Sequence, residues 1–427
     1  MANKEIQLAI QIAGRIDKSL GNSIDVTKKE LRSLAIDVAR SQNEMTLSGA
    51  IDSVSDGIEG ITNRALGLTK VVAGAAVGAG AALTGLGAAA VNAGSDFESA
   101  FAGIRKTVDA TEQEYAVLED SIRDMAKNMP MTASELAEIG ESAGQLGIHT
   151  ENLEDFIQTM ADLSVATNLT SEDAASQFAK FANITGMAQD QFDEMGSTVV
   201  ALGNNMATTE ADIMNMAMRL AGAGSQINMS VADILGYSAA LSSVGIEAEA
   251  GGSALSKVMV SMQLAVETGT EGLKDYANVA GMAAGEFQQL FKTDPSRALS
   301  AFISGLGDTD RLGKSAIAVL DEMGISEVRL RDTLLRAASA GDLFENSLQI
   351  ANEGFEENVA LTKEAEQRYA TFESRLQMVQ NRVNDVGISL YQSFRDPLNE
   401  VMGILLDETA DFALFDQDTM EAMVEAA

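Results

Sequence analysis

Five times between Asp96 and Thr268 a Ser or Thr stands three residues ahead of an acid. The pairs are Thr111 and Glu114, Thr132 and Glu135, Thr170 and Asp173, Thr209 and Asp212, and Ser230 and Asp233. In such a pair the hydroxyl and the carboxylate satisfy N–H groups that the first turn of a helix leaves without partners. Apolar residues at helical steps follow each pair. Gly144, Gly186, Gly224 and Gly245 lie between these starts, where a chain leaving a helix needs a residue free to take positive φ. The pattern predicts a compact domain of about seven or eight medium helices with short turns. Composition agrees: Pro occurs three times and Trp not at all, so little interrupts helices and few residues favour strands.

The fold class expected is all-α. It comprises a multi-helix core followed by a long helix with coiled-coil character, one isolated N-terminal strand, and a Gly/Ala-rich hydrophobic helix. The strand is read from Ile6, Leu8, Ile10 and Ile12 alternating with Glu5, Gln7, Ala9 and Gln11. From Thr27 to Leu66 the period turns helical. Residues 71–95 then run without a charge in a chain of net charge −34, with ten Ala and six Gly against four Val and two Leu. That length could cross a bilayer core of roughly 30 Å as a helix. Its small side chains gain little from lipid, so close packing through Gly74, Gly78 and Ala82 is the alternative, in a helical assembly.

Asp294-Pro295 and the stretch from Gly305 to Gly313 mark a softer boundary. After Gly341 the chain reads as one long charged helix. Within it Tyr369, Phe372, Leu376, Val379, Val383, Val386 and Leu390 alternate steps of three and four, a heptad seam for helix pairing. An amphipathic helix lying on the preceding domain would show the same stripe. Pro397 is expected to interrupt this helix. The segments expected are 1–66, 67–95, a core at 96–270, a connecting region at 271–341, and the long helix at 342–427.

Little of the chain points to chemistry. Without Cys there is no disulfide, thiolate nucleophile or zinc–thiolate site, and the single His149 excludes a two-histidine metal site. No cofactor and no metal are expected. A charge of −34 opposes nucleic-acid binding, which needs cations to displace phosphate counterions. The stretch Asp308 to Ser315, DTDRLGKS, ends like a phosphate loop but lacks the first Gly and any preceding strand. Gly85 to Ala90 fits a dinucleotide fingerprint only because the run is Gly/Ala-rich. Glu141 and Ser142, with Gln145 following, faintly resemble the acid of a lytic transglycosylase, but that family's next element is missing. His149 reads as a cap or surface residue. Met206, Met214, Met216 and Met218 read as filling of a soft helical core or interface rather than as copper ligands. The N-terminus, MANKEIQLAIQ, has no signal-peptide pattern, which predicts synthesis in a cytoplasm.

A wider set of residues resembles the phage tail tape measure protein family. Its core region is similar to Gly140 to Gly147 (GESAGQLG), Asn204 to Ile213 (NNMATTEADI) and Arg219 to Gly224 (RLAGAG). Gly236, Ser242 to Ile246 and Gly251 to Ala254 continue the pattern. Asn358 to Leu361 and Ala365 to Phe372 resemble the region after that core. The resemblance spans the core region, about 96–268, and continues to about 400. It implies a structural, non-enzymatic virion protein, present in several copies inside the tail tube. Such a protein sets tail length and is ejected to assist DNA across the host envelope. The partners implied are the tail tube protein, tail tip or baseplate proteins, tail assembly chaperones, other copies of the chain, and the host membrane on ejection. No direct nucleic-acid binding is expected. Assembly would take place in the host cytoplasm, with the host inner membrane as a destination after ejection. The chain ends at MEAMVEAA without the family's long repeat-rich region, which implies a short tail or a processed form. Two other readings use the same residues: a membrane-active pore former resting on 71–95, and a peptidoglycan-cleaving enzyme resting on Glu141.

Overall fold

The structure, a computed structural model, describes residues 86–406. The expected strand, the helix at 27–66, and Gly74, Gly78 and Ala82 lie outside the described residues.

Every regular element described is helical. In chain order they are α1 (Leu86–Thr107), α2 (Glu112–Asn128), α3 (Ala133–Gln145), a 3₁₀ turn (Thr150–Asn152), α4 (Leu153–Ala166), α5 (Ser171–Thr185) and α6 (Phe192–Asn205). Then come α7 (Glu210–Gln226), α8 (Val231–Ser243), α9 (Ala248–Thr268), α10 (Glu271–Val279), α11 (Ala284–Thr293) and α12 (Pro295–Gly307). The last are α13 (Thr309–Leu312), α14 (Ala316–Glu322), α15 (Val328–Ala338), α16 (Gly341–Glu357), α17 (Ala360–Tyr369) and α18 (Phe372–Leu406). Nine helices, rather than seven or eight, thus lie between Leu86 and Thr268.

All five Ser/Thr–acid pairs sit at helix starts. In each, the acid's backbone N–H donates to the hydroxyl, at 3.0 to 3.3 Å. At α2 and α3 the Glu carboxylates reach back to the Thr111 and Thr132 N–H groups at 2.7 Å, completing reciprocal caps. Two of the four glycines do end or follow helices with positive φ, Gly186 at 74° and Gly245 at 72°. The other two lie inside last turns, where the need is space. A Cβ at Gly144 would meet Thr107 Oγ1 at 2.5 Å, and one at Gly224 would meet Ile234 Cδ1 at 2.8 Å.

The chain forms two compact units built from non-contiguous stretches. The larger holds 104–115 and 138–371. At its centre is α8, buried at Ala232 and from Ile234 to Leu241. It is packed by α6, α7 and α16. Gly236 lets α16 approach: a Cβ there would meet the Ser347 carbonyl oxygen at 3.1 Å and Leu348 Cα at 3.3 Å. Tyr237 is wholly buried, and its hydroxyl donates to the Ser296 carbonyl at 2.7 Å. Ser296 in turn donates to Asp233 at 2.7 Å, and Asn352 donates to the other Asp233 oxygen at 3.0 Å. A single polar network therefore ties α8, α12 and α16 together. Beyond it α10, α11 and α12 gather Tyr276, Phe287 and Phe302 into one aromatic cluster.

The smaller unit holds the described residues up to Gly103, 116–137, and 372–406. Here α18 lies across α1, with Gly94 leaving room for the Tyr391 ring. The Tyr391 hydroxyl donates to Glu98 at 2.6 Å.

The expected single helix after Gly341 is instead three. α16 ends at Asn358, which takes φ 48°, a left-handed conformation that no continuing helix allows. α17 ends at Tyr369, and α18 begins at Phe372. Pro397 does not interrupt α18, which runs on to Leu406. Proline removes one helix hydrogen bond but holds φ near the helical value, so flanking turns can carry the helix through at a cost of about 3 kcal/mol.

One glycine makes a sharp test. A Cβ at Gly305 would lie 1.9 Å from the Val279 carbonyl oxygen, a backbone atom that no side-chain rotation can move away. Gly305→Ala is expected to destabilise the larger unit by about 3 kcal/mol, at the high end for overpacking, read as a lower thermal midpoint. An unchanged midpoint would contradict the close approach of α10 and α12.

Candidate functional site

The expected seam is divided between two helices and two environments. Tyr369 is the last residue of α17, and its hydroxyl donates to the Asp162 carboxylate on α4. The others lie on α18. Phe372 is 75 % exposed, Leu376 49 % and Val383 44 %, while Val379 and Val386 are half-buried. A stripe of apolar side chains therefore faces outward along the first half of α18.

The opposite face of α18 is polar and buried. Asn381 and Asp385 are the buried residues there, with Ile388. The Asn381 amide donates to the carbonyls of Ala126, Met129 and Met131, at 2.9, 3.1 and 2.6 Å. These carbonyls lie at and just past the end of α2, where a helix leaves acceptors without partners. Asp385 accepts from Arg123 Nε at 2.6 Å and pairs with Lys127 at 3.1 Å. Arg123 also donates to Ser389 Oγ at 2.5 Å. Burial works against the Lys127 charge, but hydrogen bonds to and attraction from Asp124 and Asp385 outweigh it and hold its pKa above the ordinary lysine value. Sequence reasoning missed this clasp. The available signal was a polar face, Asn381, Asp385 and Gln392, opposite a heptad stripe; the Arg123 that Asp385 holds lies 262 residues earlier.

A second polar cluster belongs to the larger unit and holds the start of α17. Asn358 donates to Asp193 at 2.6 Å and accepts from Ser197 at 2.8 Å. Ser197 also accepts from the Leu361 backbone N–H at 3.4 Å. Asp193 and Glu194, in the first turn of α6, share a hydrogen bond. Burial, that bond, and the charges of Asp193 and Asp190 push the Glu194 carboxyl up to about 7. Burial alone would raise Asp193 as well. Hydrogen bonds from Glu194 and Asn358 overcome that and hold it below the ordinary carboxylate value. Below about pH 7 the pair therefore holds one proton.

The remaining candidates fall into structural places. Glu141, Ser142 and Gln145 lie within α3, and Gln145 donates to Glu141 at 3.1 Å. His149 precedes the 3₁₀ turn, and its backbone N–H donates to Gln189 at 2.8 Å. Met214 and Met216 are fully buried in α7. Asp308 caps α13, Gly313 turns the chain at φ 63°, and Ser315 caps α14. Lys314 pairs with Glu322 at 2.5 Å. This is a turn between helices. Of the Gly/Ala-rich run, 86–95 form the start of α1. Among the described residues no helix is long and apolar enough to cross a membrane, and no cluster of His, Cys, Asp or Glu could hold a metal ion.

Comparison with known proteins relates the chain to the phage tail proteins. Residues 119–323 match the family described as phage-related minor tail protein. A protein of Halomonas phage phiHAP-1, named a probable tape measure protein, is 21 % identical over 239 residues. That stretch is 53 % of this chain but 28 % of the relative, so the chain matches well under half of that protein's length. No solved structure matches.

The Asp193–Glu194 pair carries a pH dependence of definite sign. Between the ordinary glutamate value of 4.5 and about 7, the folded chain keeps a proton on Glu194 that the unfolded chain has released. Stability contributed by this group is therefore present at low pH and lost as pH rises to about 7. Asp162, pushed up by burial, acts in the same direction. Glu194→Gln keeps a donor toward Asp193 but cannot titrate. Its thermal midpoint is expected to fall less between about pH 5 and pH 8 than that of the wild-type chain. Equal falls in the two proteins would contradict the shared proton.

Proposed function

We propose that this chain, related to the phage minor tail proteins through residues 119–323, is a structural tail component that acts as a tape measure. The observation that carries the proposal is the outward apolar stripe of α18, joined to the tape measure relative's match. A length ruler needs extended helix and several chains side by side. α18 alone has 35 residues, and at about 1.5 Å per residue it spans roughly 50 Å.

The partner of the stripe is a second copy of the same chain. Knobs from Phe372, Leu376, Val379 and Val383 repeat at heptad steps, the spacing at which like helices pack left-handedly. Other tail components are further partners, and the virion is the location this reading gives. A net charge of −34 suits a protein that shares a tube with DNA without holding to it. No residue is assigned a catalytic role.

The test is tail length. Inserting two further copies of 369–389 adds about 42 residues, roughly 60 Å of helix. Tails carrying the insertion are expected to be longer by about that amount, rounded to whole rings of the tube, in electron micrographs. Intact tails of unchanged length would overturn the ruler.

A further inference from the structure

At the C-terminal end of α6 the larger unit has a cleft of about 400 Å³. α16 and α17 both pack on α6, and each turns residues into this cleft. Gly354 brings α16 in, since a Cβ there would meet Ala201 Cβ of α6 at 3.1 Å. Ala201, Ile350 and Ala360 are half-buried and supply an apolar floor. Glu353, Glu357 and Lys363 are exposed and stand at the rim.

The cleft is negative for two reasons. Glu353 and Glu357 stand one turn apart on α16 and so share a face. Glu353 accepts from Gln349 at 2.8 Å, but neither carboxylate has a cationic partner among the described residues. A third, Glu364, already pairs with Arg368 at 3.4 Å. Two helix ends add to this. Asn204 and Asn205 close α6 and Glu357 closes α16, and the last carbonyls of a helix carry partial negative charge. Lys363 and the start of α17 oppose them, which leaves three carboxylates against one ammonium.

A small molecule binds where most of its surface is enclosed, and this cleft is open along one side. A side chain projecting from another protein needs no such enclosure, because its backbone stays outside. We propose that the cleft is a docking site for an arginine on a basic segment of a partner protein. The aliphatic stem lies on Ala201, Ile350 and Ala360, and the guanidinium reaches Glu353 and Glu357. Guanidinium offers a carboxylate two parallel N–H bonds, which the point charge of a lysine does not. The amides of Asn204 and Gln367, also in the lining, can meet the partner's backbone. Arginine is among the residues that most often anchor protein interfaces. The site uses no residue of α18, so it stands or falls apart from the stripe and the ruler.

The probe is a blocked Ala-Arg-Ala-Arg-Ala peptide, titrated into the full chain at about 0.15 M salt, where charges more than about 8 Å apart are largely screened. Methyl NMR is expected to show saturable shifts at Ala201, Ile350 and Val359, which line the cleft. Glu353→Gln with Glu357→Gln should weaken binding by about tenfold or more. Glu249→Gln with Glu267→Gln removes the same charge from exposed positions of α9 and should leave binding within about twofold of wild type. A peptide with lysine in place of arginine should bind several-fold more weakly. Shifts spread over the whole acidic surface, or equal weakening in the two double variants, would overturn the site and leave only unspecific attraction. Equal binding of the lysine peptide would overturn the guanidinium assignment. Spermidine that moves the same methyls at lower concentration than the peptide would overturn the protein partner in favour of a free amine.

Discussion

The clasp between α18 and the end of α2 decides which side of α18 is left free. Asn381 gives its amide to three backbone carbonyls, and Asp385 takes Arg123 and Lys127. A buried ion pair adds little net stability, because removing two charges from water costs nearly what their attraction returns. Its effect lies in orientation. Rotating α18 about its axis would leave Asp385 and Asn381 without partners, which costs several kcal/mol for the charge alone. Holding the polar face inward fixes the apolar stripe outward. An ordinary amphipathic helix on a domain would do the reverse.

The larger unit achieves a compact helical core by different means. Its helices approach closely at small residues, as Gly236 does against α16 and Gly354 against α6. Buried hydroxyls turn back onto their own helices. Thr159, Thr198 and Ser238 donate to carbonyls four residues earlier at 2.6 to 2.8 Å, so none of the three is stranded. Buried methionines fill the irregular gaps. α17 adds Leu361 and Ala365 to this core, packed on α4 and α6.

Local features of this fold were legible and long-range ones were not. The Thr170 and Ser230 caps are spelled by residues three apart, so the chain shows them directly. Asp294-Pro295, read as a softer boundary, falls between α11 and α12, with Asp294 capping α12. The break at Asn358 is invisible because the residues that hold it, Asp193 and Ser197, lie 165 and 161 positions away. The raised carboxyl of Glu194 depends on the same distant contacts. Pro397 misleads in the other direction, since its local rule is overridden by the long helix around it. The two units are likewise hidden, because each gathers stretches that are far apart in sequence.

A role in the tail depends on the free stripe of α18 joining copies of the chain. Sedimentation equilibrium of the full chain, beside a variant carrying Leu376→Glu and Val383→Glu, tests that most directly. Both positions are exposed among the described residues. The wild type is expected to form a concentration-dependent oligomer and the variant a folded monomer. A wild-type chain that stays monomeric throughout, or a variant that associates as strongly as the wild type, would contradict the seam.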